Sequence, residues 1–163
     1  MTLNDFHDLY VAELQELRSV EDQLVEALPK MAESARSDQL RGALEEHLSE
    51  TRSQRDRLDE LLRNQKAPAR EHTDGSMRAI LDETERWAGL VDDETLRDAG
   101  LIASAQRVAH YEIAVYGTLV TWAKHQRLKD DARTLETMLE EHKAADARLT
   151  EIAERLVNPE AVA

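Results

Sequence analysis

The sequence contains no cysteine and, among its 163 residues, only five glycines, three prolines and one phenylalanine. Without cysteine the chain can form no disulfide, use no thiol nucleophile and bind no metal through thiolates. Glycine and proline are the residues that most often interrupt helices, and here they are scarce while alanine, leucine, glutamate and arginine dominate. The composition therefore favours long helices.

Positive charge is also in short supply. The chain has 21 Lys and Arg against 34 Asp and Glu, a formal net charge of -13. This balance argues against nucleic acid as a partner and fits a soluble protein that tolerates or attracts cations. The N-terminal "MTLNDFHDLY" has no signal-peptide pattern, and no stretch approaches the ~20 apolar residues of a membrane span. We therefore expect a cytoplasmic protein that contacts neither membranes nor nucleic acid.

Apolar residues recur at three- and four-residue steps, which predicts amphipathic helices. Two short connections give antiparallel hairpins, and the long connection between them contains "NQKAPAREHTDGS" and an extra helix. One long crossover is typical of ferritin-like bundles, so we predict an all-α, ferritin-like four-helix bundle with residues 1–163 as a single domain. The predicted helices are A at about 3–35, B at about 38–64, the crossover helix at about 76–91, C at about 94–126 and D at about 130–157, where Pro159 ends the helix.

The two halves of the chain repeat each other without a gap. Glu21 lies 29 residues before Glu50, and Glu112 lies 29 residues before Glu141, so one offset of 91 superposes both pairs. The midpoint of each pair falls in a predicted hairpin turn, which puts all four carboxylates roughly 20 Å from a turn at ~1.5 Å per residue. The repeat therefore predicts four carboxylates in one layer at the middle of the bundle.

Four charged carboxylates in an apolar layer would repel each other and raise the pKa of at least one of them. Two divalent cations would neutralise them, and ligation by oxygen with some imidazole suits iron or manganese. We therefore predict a dinuclear iron or manganese site with Glu21, Glu50, Glu112 and Glu141 as ligands. Glu112 is the most telling of them, because it interrupts the apolar stretch "VAHYEIAVYGTLV". The simpler interpretation places each Glu at the edge of its stripe, in contact with solvent.

Three further side chains are candidates for the same layer. His47 lies one helical turn before Glu50, Gln54 lies one turn after it, and His142 is next to Glu141. Each is a candidate direct ligand or a hydrogen-bond partner of a ligand.

Three segments, "AELQELRSVEDQLVEALPKMAESA", "EEHLSETRSQRDRL" and "DAGLIASAQRVAHYEIAVYGTLVTWA", resemble the YciF/YciE-like stress proteins of the ferritin-like superfamily. The resemblance extends over most of residues 3–157. It implies a ferritin-like bundle, a homodimer, a dinuclear metal site and a link to bacterial stress responses. The sequence departs from the superfamily at Ser53 and Ala144, where a histidine usually follows the ligand Glu by three residues.

Two classes of function remain open at this point. The first is a stress-associated di-metal oxidoreductase that acts on peroxide or oxygen, as a peroxidase, catalase or oxidase. The alternative is a non-catalytic metal-binding protein, or a structural helical dimer whose carboxylates are protonated or paired with Arg18, Arg57 and Arg148.

A homodimer could form through a second apolar strip on helix C or through the crossover helix around Trp87. Otherwise the crossover helix covers that strip within one chain. The residues of the strip are Leu101, Val108, Tyr111, Val115 and Trp122.

Overall fold

The fold was obtained as a computed structural model, which describes residues 3–69 and 72–163. Its helices are α1 (Phe6–Ser34), α2 (Asp38–Asn64), α3 (Gly75–Ala88), α4 (Glu94–His125), α5 (Lys129–Ile152), a π-helical segment (Ala153–Val157) and α6 (Asn158–Ala161). The described residues contain no β-strand. The prediction of four long helices with an extra helix in the crossover is confirmed.

The four long helices form two antiparallel hairpins that pack against each other. The hairpins are α1–α2 and α4–α5; α1 contacts α4 and α2 contacts α5 across the bundle. The helix of the crossover, α3, packs against α4 and α1. Within the described part of the chain, the α1–α4 side is therefore covered by a helix, whereas α3 does not pack on the α2–α5 side.

The second apolar strip of α4 is largely buried within a single chain. Leu101, Val108 and Val115 are all buried, and the hydroxyl of Tyr111 donates a hydrogen bond of 3.0 Å to Asp74, which caps α3. The alternative in which the crossover helix covers the strip is the one that the structure favours. Because these three side chains are buried in the single chain, they do not form a free interface.

One buried carboxylate fixes the first hairpin turn against α4. Asp98 accepts hydrogen bonds from the backbone N–H groups of Arg36 (2.9 Å) and Ser37 (2.7 Å). Ser37 is itself the N-cap of α2, because its hydroxyl accepts from the N–H of Leu40. These contacts satisfy backbone donors that a helix terminus otherwise leaves unpaired. The register between α1, α2 and α4 is therefore set by specific polar contacts as well as by the apolar core.

Three details differ from the sequence prediction or refine it. The crossover helix ends at Ala88, where Gly89 follows, instead of about residue 91. The helical backbone continues through Pro159 to Ala161, so the predicted end before Pro159 is wrong. Proline is tolerated here because it lies in the first turn of α6, where its missing N–H is not needed. Helix α1 is continuous through Pro29.

Among the described helices, none is long and apolar enough to cross a membrane.

Candidate metal centre

The four predicted carboxylates do not share one environment. Glu21 on α1 and Glu112 on α4 are fully buried, whereas Glu50 on α2 and Glu141 on α5 are only partly buried. On α2 and α5 the next residue is buried instead: Thr51 is 0% and His142 is 1% exposed. Helices α2 and α5 thus keep the twofold pattern of the repeat. Each is rotated so that the residue after its glutamate, Thr51 or His142, faces the core.

A compact cluster of possible metal ligands lies in this layer. His47 from α2, Glu112 from α4 and His142 from α5 each offer one ligand atom, and these atoms lie within 4.8 Å of one another. Glu112 Oε2 is 3.5 Å from His47 Nε2 and 3.4 Å from His142 Nδ1. All three side chains are buried. A possible metal-binding group of two imidazoles and one carboxylate is therefore present.

Four polar atoms of this cluster lack a hydrogen-bond partner among the described residues. Both carboxylate oxygens of Glu112, Nε2 of His47 and Nε2 of His142 are buried and make no hydrogen bond there. Buried polar atoms without a partner are rare, because losing water without a replacement costs free energy. A divalent cation would satisfy these atoms, and two histidines with one carboxylate are a ligand set used by non-haem iron proteins. The residues present therefore fit a metal ion.

The charges of the cluster are complementary even without a metal. Burial alone would raise the pKa of Glu112, but the adjacent imidazoles, His142 first, outweigh it and lower this pKa to about 2. Burial alone would lower the pKa of His142, but the Glu112 carboxylate raises it to about 9. Glu112 therefore carries its negative charge next to a protonated His142 near neutral pH. Paired in this way, it does not carry the strain expected of an isolated buried carboxylate.

The strained carboxylate of the layer is Glu21. Burial and, after it, the nearby charge of Glu112 raise its pKa to about 8, although His142 partly offsets both. The hydroxyl of Tyr116 donates a hydrogen bond of 2.6 Å to Glu21 Oε1, whereas Oε2 is buried without a partner in the described residues. Tyr116 thus orients Glu21 and leaves one of its oxygens available.

Glu141 is occupied by protein donors. Gln54 Nε2 lies 2.8 Å from it, and the two Nη atoms of Arg57 lie 3.1 Å and 2.6 Å from its two oxygens. Although burial acts to raise the pKa of Glu141, the hydrogen bonds from Arg57 and Gln54 lower it below its usual value. Burial raises the pKa of Glu50, which accepts no such pair. Glu141 thus has an arginine partner, Arg57, as the alternative without metal expects. The other two arginines of that alternative, Arg18 and Arg148, pair with Asp59 and Glu46 instead.

The sequence named all three residues of the cluster but did not single out their combination. Glu112 was predicted as a ligand from the repeat, and His47 and His142 were candidates beside it. The repeat indicated Glu50 and Glu141, instead of the two histidines, as the ligands that α2 and α5 contribute beside Glu112. A stronger weight on the buried stripe of α5, which runs through Leu135, Met138, His142 and Leu149, would have favoured His142 over Glu141.

Solved structures of similar chains have the same architecture. The crystal structure of the E. coli stress protein YciF has a TM-score of 0.90 and 35% identity, covering 95% of this chain and 98% of that one. YcfI from Rhodopseudomonas palustris, a suggested structural protein, has a TM-score of 0.88 and 36% identity, covering 91% and 94%. A Xanthomonas campestris protein at 19% identity shares the fold, with a TM-score of 0.75 over 94% of each chain.

The sequence comparisons agree with the structural ones. Protein YciF of E. coli K12 is 35% identical over 162 residues, which is 99% of this chain and 98% of that protein. Residues 5–162 match the family model described as a domain of unknown function, DUF892. The resemblance found in the sequence is confirmed, and the chain belongs to this family of YciF-like stress proteins.

Proposed function

We propose that this protein binds iron or manganese at His47, Glu112 and His142 and acts in a bacterial stress response, with peroxide or oxygen as the small-molecule substrate. The observation that carries the proposal is the set of buried possible ligand atoms that have no hydrogen-bond partner within the described residues. The stress context comes from the E. coli relative YciF, which is described as a stress protein. Bound iron or manganese would supply redox chemistry toward peroxide or oxygen.

The residues of this chain have distinct tasks in the proposal. The ion is bound by His47, Glu112 and His142 from three different helices. These ligands meet only in the folded bundle. Glu21 holds a proton at neutral pH in the metal-free chain because its pKa is about 8. Tyr116 orients Glu21 through its hydrogen bond, and its own pKa is raised well above the ordinary value by burial and by Glu21. Both side chains therefore stay neutral beside the cluster near pH 7.

The second ion of the predicted dinuclear site would bind more weakly. Its proposed ligands are Glu21, Glu50 and Glu141, with Gln54 next to them. The raised pKa values of Glu21 and Glu50 favour a nearby cation, because it would relieve the excess of negative charge. Glu141, however, would have to exchange Arg57 for the ion. We therefore propose two steps, with the three-residue cluster filled first.

A titration of the metal-free protein with Mn²⁺, or with Fe²⁺ under anaerobic conditions, tests the proposal by calorimetry. We expect one tight site that is lost in His142→Gln and kept in the control His110→Gln, whose side chain is exposed on the outside of α4. A second, weaker step would support the dinuclear site. Equal binding by wild type and both variants would refute the assignment, and failure of the wild type to bind either ion would refute the proposed metal.

The second candidate is a structural helical dimer without metal. It is favoured by the contacts of Arg57 and Gln54 with Glu141 and by the R. palustris relative YcfI, which is described as a structural protein. Metal analysis of the purified protein separates the two candidates, because a structural dimer would contain no stoichiometric iron or manganese. Peroxide consumption by the loaded protein then separates an enzyme from a metal-binding protein without turnover.

A further inference from the structure

A small cavity opens between α2 and α5, on the side of the bundle opposite α3. Its volume is about 90 Å³, enough for on the order of three waters. It reaches His47, a member of the proposed metal site, and Glu50 lies on its wall. Most of the other lining residues are small or apolar: Ala43, Leu44, Ala144, Ala145 and Leu149.

The internal repeat explains why the cavity lies on only one half of this face. The offset of 91 makes Gln54 the counterpart of Ala145 and Arg57 the counterpart of Arg148. Gln54 and Arg57 both reach Glu141 and fill their half with hydrogen-bonded side chains. On the other half, the side chain of Ala145 ends at Cβ, and Arg148 pairs with Glu46.

On the opposite side of the site, the two carboxylates are covered. Glu21 and Glu112 are both 0% exposed, and α3 packs over the helices that carry them. His47 is 4% exposed and is the one residue of the cluster that lines this cavity. Carboxylates of Glu46 and Glu50 stand along the cavity, where they attract cations, while the guanidinium of Arg148 repels them.

We propose that this cavity is the route by which a divalent cation reaches His47, Glu112 and His142, with the Glu46–Arg148 ion pair controlling its mouth. The proposal rests on the metal site described above. A route changes binding and release by the same factor and leaves the affinity unchanged, because it is passed in both directions. This property distinguishes a lining residue from a ligand.

The test follows the visible absorption of Co²⁺ in a stopped-flow instrument. Ala145→Leu fills the cavity with an apolar side chain, and Ala147→Leu makes the same change at an exposed position of α5 as a matched control. We expect Ala145→Leu to slow both association and release by about tenfold or more, as when binding has to wait for a conformational opening. Its final spectrum and affinity should equal those of wild type.

A second variant acts in the opposite direction. Arg148→Gln removes the positive charge at the mouth and frees Glu46, so association should become several-fold faster at low ionic strength. This variant changes the lining only at the mouth of the cavity and adds no bulk to the core.

Three outcomes would overturn the route while the metal site stands. They are wild-type kinetics in Ala145→Leu, an altered cobalt spectrum in that variant, and an equal slowing in Ala147→Leu. A wild-type protein that gives no cobalt spectrum would refute the metal site, and the route would fall with it.

Discussion

Replacing Glu21 with Gln should make the metal-free protein more stable, by an amount that grows with pH. Glutamine keeps the shape of the side chain and can still accept the hydrogen bond from Tyr116 through its carbonyl oxygen. It removes the one carboxyl group that burial and Glu112 force to keep its proton up to a pH of about 8. The substitution therefore removes a charge that the folded state does not tolerate.

The magnitude follows from the two pKa values. The pKa of Glu21 is about 8 in the folded state against an ordinary 4.5, so between these values the unfolded chain releases a proton that the folded chain keeps. The contribution of Glu21 to the free energy of unfolding is thus fully present below pH 4.5 and is lost as the pH rises toward 8. At about 1.4 kcal/mol per pKa unit, the advantage of Glu21→Gln grows from about 1 kcal/mol at pH 5 to an upper bound of about 4 kcal/mol at pH 8.

Urea unfolding in the presence of a chelator, followed by circular dichroism from pH 5 to 8.5, measures this difference. The pKa of His142, about 9, makes stability fall over part of the same range in both proteins, so the difference between them is the informative quantity. Glu26→Gln on the exposed side of α1 is the matched control and should differ little from wild type. A Glu21→Gln advantage that stays constant with pH would show that Glu21 ionises freely and would refute the reasoning.

Three further predictions concern the same chain. Glu112→Gln should destabilise the metal-free protein by about 3 kcal/mol in urea unfolding, because it leaves buried His47 and His142 without their counter-charge. The same variant should abolish the rise in melting temperature on adding Mn²⁺. An unchanged metal response would exclude Glu112 as a ligand. Asp98→Ala should cost about 2–3 kcal/mol in the same assay, because two backbone N–H groups at the first hairpin turn lose their acceptor; a loss below 0.5 kcal/mol would show that water replaces it. Light scattering at micromolar concentration should give twice the 18.5 kDa of one chain, as the family resemblance implies, and a monomer mass would contradict the dimer.

The contrast between Glu21 and Glu112 illustrates how contacts change the meaning of a buried charge. Both glutamates are equivalent in the repeat and both are fully buried. Glu112 has two imidazoles beside it, whereas the hydrogen-bond donor of Glu21 is the neutral hydroxyl of Tyr116. Substitution of the two residues is therefore expected to shift stability in opposite directions.

The sequence by itself determined the helices and the layer in which the site lies. Amphipathic periodicity predicts four long helices and the crossover helix, because helix formation depends on local spacing of apolar residues. The offset of 91 places Glu21 and Glu112 at equivalent positions facing the core, and both are buried. A repeat of this kind is readable without coordinates because equal distances from two turns give equal heights along the bundle.

Only the tertiary structure decided which side chains meet. Glu141 and His142 are neighbours about 100° apart around α5, so a rotation of the helix by less than a third of a turn exchanges one for the other in the core. The packing of α5 against α2 and α4 buries His142 beside Glu112 and leaves Glu141 to Arg57 and Gln54. That rotation depends on how side chains from all four long helices fill the core together, which the spacing of residues along one chain does not specify.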